Sequence, residues 1–123
     1  MAWKITAKQK MFKNMSISDT AKQKQTLLEN DQEYYLDHRP VVKIFNPCGA
    51  ATWLLTSMDP HGVAYGLCDL GMGSPELGSV SVHELAEVKG PLGIGLEVDR
   101  FFTADKTISE YAAAARAAGS IAA

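Results

Sequence analysis

Between residues 41 and 68 three short runs of β-branched and aromatic residues are separated by links too short to hold a helix, and this spacing limits the fold more than any other feature. Val41-Val42-Lys43-Ile44-Phe45 stops at Asn46-Pro47, and Thr52-Trp53-Leu54-Leu55-Thr56 stops at Asp59-Pro60-His61-Gly62. Val63-Ala64-Tyr65-Gly66-Leu67-Cys68 follows at hairpin distance. Parallel strands need a crossover of a dozen or more residues, so strands linked this closely pair as an antiparallel meander.

The flanking segments read as helices with identifiable ends. Thr6 is placed to cap a helix from about Ala7 to Met15, with Ile5, Met11, Phe12 and Met15 near one stripe. Ser18 or Asp19 would cap a second, mostly polar helix to about Asn30, and Asp31 to Arg39 forms a charged connector that Pro40 ends. After the meander, Asp69 to Gly78 is a glycine-rich loop leading to a short strand near Ser79 to Ser81. Ser81-Val82-His83-Glu84 and Thr107-Ile108-Ser109-Glu110 both match the capping box, in which the hydroxyl accepts from the third helical amide and the Glu reaches back. The first opens a helix from Val82 to about Val88, stopped by Gly90-Pro91; the second opens an alanine-rich helix that ends before Gly119. Gly95 to Val98 reads as a further strand and Arg100-Phe101-Phe102 as an extended piece.

The expectation is an α+β fold: an antiparallel sheet of about four or five strands, with helices at the N-terminus, in the middle and at the C-terminus packed on one face. Residues 1–123 form a single domain, with a helical region over 1–39, a mostly β region with one short helix over 40–106, and a C-terminal helix over 107–119. Hydrophobic residues make up 46% and charged residues 21%, enough apolar surface to form a core without disulfides or a structural metal. Cys48 and Cys68 lie twenty residues apart without zinc-ligand spacing, and buried thiols are a simpler reading than a disulfide. With no signal-like apolar segment and no run long enough for a membrane span, the chain reads as cytoplasmic, without a membrane partner.

The net charge of −2 hides an asymmetry. Residues 1–30 carry Lys4, Lys8, Lys10, Lys13, Lys22 and Lys24 against Asp19 and Glu29, a balance of +4. Residues 58–110 carry nine acids against Lys89, Arg100 and Lys106, a balance of −6. The lysines would serve a nucleic-acid-binding role, but no arginine is interleaved and no recognition-helix signature is present, so solvated faces are the simpler explanation.

No catalytic template fits. Gly71-Met72-Gly73-Ser74-Pro75-Glu76-Leu77-Gly78 lacks the helix and the lysine that a phosphate loop requires, and Asp69 and Glu76 would repel an anion. Asp69 and Glu76 could instead act in a small Mg²⁺- or Mn²⁺-assisted hydrolase or nuclease, with Glu97 and Asp99 gathered nearby; acids beside glycine turns more often cap those turns. His38, His61 and His83 show no ligand spacing, and no Gly-x-Ser-x-Gly elbow is present. Trp53 and Tyr65 on adjacent strands read as packing residues. These failures point away from an enzyme and from any metal or cofactor.

Pro40 to Phe45, Ala51 to Thr56, Gly66 to Gly71 with Pro75 to Gly78, and Gly90-Pro91-Leu92-Gly93 together resemble a family of small proteins known only as a domain of unknown function. The resemblance covers roughly residues 40–116. It implies accessory service to a mobile genetic element, since members occur on plasmids, integrative conjugative elements and phages, beside anti-restriction and DNA-processing modules. It supplies no catalytic residues. The expected function is therefore a non-enzymatic binding protein, such as a counter-defence inhibitor of anti-restriction or anti-CRISPR type. Asp69, Glu76, Glu97 and Asp99 would meet a basic surface on a protein partner.

Overall fold

The computed structural model describes residues 11–12 and 15–123. Helix α1 (Ile17–Gln32) is followed by strands β1 (Val42–Phe45), β2 (Thr52–Met58), β3 (Val63–Asp69) and β4 (Glu76–Ser81), then by α2 (Val82–Glu87). A single 3-10 turn (Pro91–Gly93), strand β5 (Glu97–Val98) and helix α3 (Ile108–Ala118) complete the chain. The five strands form one antiparallel sheet in the order β4-β3-β2-β1-β5, so the expected meander is present and β5 joins its β1 side.

Local chemistry accounts for the element ends. The Ser16 hydroxyl, two residues before Ser18 and three before Asp19, the expected caps, accepts from the Asp19 amide at 3.1 Å and starts α1. Ser81 accepts from the Glu84 amide at 3.2 Å, and Glu110 reaches back to the Thr107 amide at 3.0 Å. Gly119 closes α3 at φ 80°. Gly66 is fixed by a close approach: a Cβ there would lie 1.9 Å from the Leu54 carbonyl oxygen across the β2–β3 ladder. The ladder shifts register between Leu55 and Ser57, and at this bulge Thr56 donates its hydroxyl to the Tyr65 carbonyl at 3.1 Å.

The helices do not share one face, which corrects the expected arrangement. Leu27 of α1 and Val82 and Leu85 of α2 pack with Val42, Ile44, Trp53, Leu55 and Met58. Ile108, Tyr111, Ala112 and Ala115 of α3 pack instead with Leu54 and Leu67. Side chains alternate along a strand, so Leu54 and Leu55 point to opposite faces, and α3 covers the face that α1 and α2 leave open. Trp53, Leu54 and Leu55 are all buried because β2 is central and covered on both sides.

Arg100-Phe101-Phe102 is not extended. The Asp99 carboxylate accepts from the Phe101 amide at 2.9 Å and the Asp99 carbonyl accepts from the Phe102 amide at 3.3 Å, which bends the chain into a turn. Of the stripe expected near the N-terminus, Met11 is buried and Phe12 and Met15 pack against the α1 face of the sheet. Ile5 and most of the helix expected over Ala7–Met15 lie outside the described residues.

Candidate functional site

The four acids expected to meet a partner occupy three different places. Asp69 ends β3 on the α3 face and is 1% exposed. One of its oxygens accepts from the Gly71 amide at 2.8 Å and the other from the Ile121 amide at 3.0 Å, so the carboxylate ties the glycine loop to the segment after α3. Glu76 pairs with Cys68 and through it with Trp53, which puts its side chain on the opposite, α1 face. Asp69 and Glu76 therefore do not converge on one ligand. Glu97 is half-buried on β5, at the other margin of the sheet, four strand spacings or about 19 Å from β4. Asp99 lies 3.6 Å from the Lys43 ammonium and caps the following turn. Among the described residues no three His, Cys, Asp or Glu side chains come together as a metal-ligand set.

A cleft of about 290 Å³ lies beside the Asp99 turn, lined by Phe101, Phe102, Asp105, Lys106 and Tyr111. Its polar groups satisfy one another. The Tyr111 hydroxyl donates to Asp105 at 2.9 Å and accepts from the Asp105 amide at 3.2 Å, while the Lys106 ammonium lies 3.8 Å from the same carboxylate and 4.8 Å above the Tyr111 ring. The Tyr111 bond and then the Lys106 charge hold the Asp105 carboxyl below its usual range. Burial pushes the Tyr111 phenol up, so at neutral pH it stays protonated as the donor of that bond. The cleft holds an ionised acid and a neutral phenol, neither poised to exchange a proton near pH 7.

Lys22 and Lys24 are exposed on α1, whereas Lys4, Lys8, Lys10 and Lys13 lie outside the described residues. Both cysteines are free thiols. Cys48 is exposed rather than buried, because its amide donates to the Asn46 carboxamide in a surface turn; Cys68 is half-buried, and desolvation pushes its thiol up. Tyr65 departs from the expected packing role, since it lies on the α3 side of the sheet outside the cluster that helix buries and is 41% exposed.

Sequence reading missed the surface feature that stands out most. Leu92, at the tip of the 3-10 turn, is 98% exposed and adopts φ 59°, a left-handed conformation that costs a branched side chain roughly 1–2 kcal/mol. The turn is held beneath it by Gly90 donating to the Ile94 carbonyl at 2.8 Å and Gly93 donating to the Gly90 carbonyl at 3.1 Å. The Gly-Pro-Leu-Gly run marked this turn, but nothing in it says which residue takes the strained position.

A family model described as protein of unknown function (DUF2958) matches residues 16–122. The chain belongs to this family. The match begins at the cap of α1, so the DUF2958 region includes that helix as well as the strands and turns that carried the resemblance. Neither a curated protein nor a solved structure matched in the parallel comparisons. No helix among the described residues of this DUF2958 chain is long and apolar enough to cross a membrane.

Proposed function

We propose that this DUF2958 protein is a non-enzymatic binding protein of a mobile genetic element that acts by protein–protein contact on a host defence complex of restriction or CRISPR type. Leu92 carries the reading: a large apolar side chain held in a strained conformation and offered to solvent has no folding rationale and suits an anchor for a partner's pocket. Exposed Leu70, Met72 and Phe101 on other connecting segments add to it. The resemblance of the four-motif series to mobile-element proteins supplies the biological setting.

The test is capture by the tagged full-length chain from lysate of a host carrying such a defence complex, followed by assay of that complex. The reading predicts near-stoichiometric recovery of one effector subunit at low salt, weaker at high salt, and inhibition of its nuclease activity. Leu92→Gly should reduce recovery at least tenfold while stabilising the fold by about 0.5–1 kcal/mol, because glycine tolerates the left-handed turn. No stoichiometric partner at low salt, together with an effector unaffected by excess protein, would contradict it.

A further inference from the structure

The β4 margin leaves backbone hydrogen-bonding capacity unused. The Val82 amide donates to the Gly62 carbonyl at 2.9 Å, and hydrogen-bonded pairs alternate along an antiparallel ladder. The β3–β4 register then makes Ala64–Val80, Gly66–Gly78 and Cys68–Glu76 the bonded pairs. Glu76, Gly78 and Val80 turn their amides and carbonyls toward β3, whereas Leu77 and Ser79 turn theirs outward. Among the described residues no backbone group meets that outer edge.

Edge strands are normally blunted by lysine, proline, a bulge or great shortness. β4 has six residues, no lysine or proline, and an unbroken register. The other margin is protected, since β5 has two residues and the chain bends away at Asp99. Side chains beside the open edge have a definite character on each face. On the α3 side, Val63 and Tyr65 are 45% and 41% exposed, in register with Ser81 and Ser79. On the other side β4 presents Glu76 and runs directly into α2, whose Glu84 and Glu87 are exposed; neither element carries a lysine or arginine.

We propose that the β4 edge accepts an extended cationic segment of a partner protein as a sixth strand. Lysines or arginines at alternate positions face Glu76 and the acids of α2, and the apolar residues between them share the sheet face of Leu77, Val63 and Tyr65. Main-chain bonds to Leu77 and Ser79 supply affinity, and alternation of the side chains supplies specificity. The inference rests on the protein-binding reading above and gives it a mode of contact and a partner chemistry.

The test titrates the full-length protein with a capped Lys-Val-Lys-Val-Lys-Val-Lys-Val peptide, reading backbone amide chemical shifts. The proposal predicts saturable, salt-sensitive binding with the largest shifts at Leu77 and Ser79. A Glu-Val peptide, or a Lys-Val peptide N-methylated on alternate amides, should bind at least tenfold more weakly. Ser79→Pro, which removes an outward donor but no ladder bond, should weaken binding at least tenfold where Ser79→Ala does not. Equal binding of the Glu-Val or N-methylated peptide to the wild-type protein overturns the proposal without recourse to any variant. Binding that appears only after removal of residues 1–10 overturns it in favour of the chain's own N-terminal segment. A concentration-dependent dimer that the peptide does not dissociate overturns it in favour of a second copy. Partner capture lost with Leu92→Gly but kept with Ser79→Pro overturns the strand-addition mode and leaves the protein-binding reading standing.

Discussion

The two faces of the sheet are covered by different means. On the α1 face, large side chains do the work: Trp53, Leu55, Met58 and Ile44 pack beneath Leu27, Leu85 and Met11. On the α3 face the covering helix offers Ile108, Tyr111, Ala112 and Ala115 to Leu54 and Leu67, so half of its contact positions are alanine and bury little apolar area each. Polar ties make up the difference. Ser109 donates its hydroxyl to Asp37 at 2.5 Å and its amide at 3.1 Å, Ile108 donates to the His38 carbonyl at 2.8 Å, Asp69 holds Ile121, and Lys43 donates to the Ala123 backbone oxygen. Both ends of α3 are thus pinned to other parts of the chain. A short, small-residue helix held by polar ties can cover half a sheet face and leave the rest, around Val63 and Tyr65, exposed beside β4.

If the faces are held as described, truncating the apolar one costs most. Trp53→Ala should destabilise by about 3–5 kcal/mol in chemical denaturation, since it opens a large cavity against α1. A loss under about 1 kcal/mol would mean that the α1 face is not the main core. Asp69→Ala tests the tied face and should cost about 1–3 kcal/mol, because it removes a buried carboxylate that accepts from the Gly71 and Ile121 amides. Its signature is local: hydrogen exchange near the C-terminal end of α3 accelerates while the Trp53 fluorescence of the folded state is unchanged. Acceleration spread evenly over both faces would erase the distinction.

How much of this was legible follows from what local signals encode. The meander, the glycine stop of α3 and the two hydroxyl-capped helices were readable because proline, glycine and capping residues act within a few positions. The start of α1 was displaced because Ser16, Ser18 and Asp19 are all competent caps and tertiary packing chooses among them. Placement of α3 has a signal in the sequence: Trp53-Leu54-Leu55 is apolar at consecutive positions, and with a period of two that requires cover on both faces. The fate of the acids had none. Whether Asp69 turns inward depends on amides at Gly71 and Ile121, the second 52 residues away.

The smallest effect concerns the tie at the start of α3. Bonds from the Ser109 hydroxyl, the Ser109 amide and the Thr107 hydroxyl hold the Asp37 carboxyl below its usual value of 3.8. A depressed native value means that the stabilisation is fully present above the unfolded value and is lost as pH falls through the native one. Asp37→Asn should therefore lower Tm slightly at pH 7, with the gap to wild type closing below pH 3.8. A gap that persists unchanged at lower pH would show that the tie does not depend on the charge.

The open margin beside the tied face is the feature on which the functional account turns, and native-state amide hydrogen exchange of the free protein, followed residue by residue along β4, tests it most directly. The account predicts alternation, with slow exchange at Glu76, Gly78 and Val80, which donate to β3, and fast exchange at Leu77 and Ser79, which face outward. Protection of Leu77 and Ser79 equal to that of their neighbours in the monomer would show the edge to be already paired and would contradict the account.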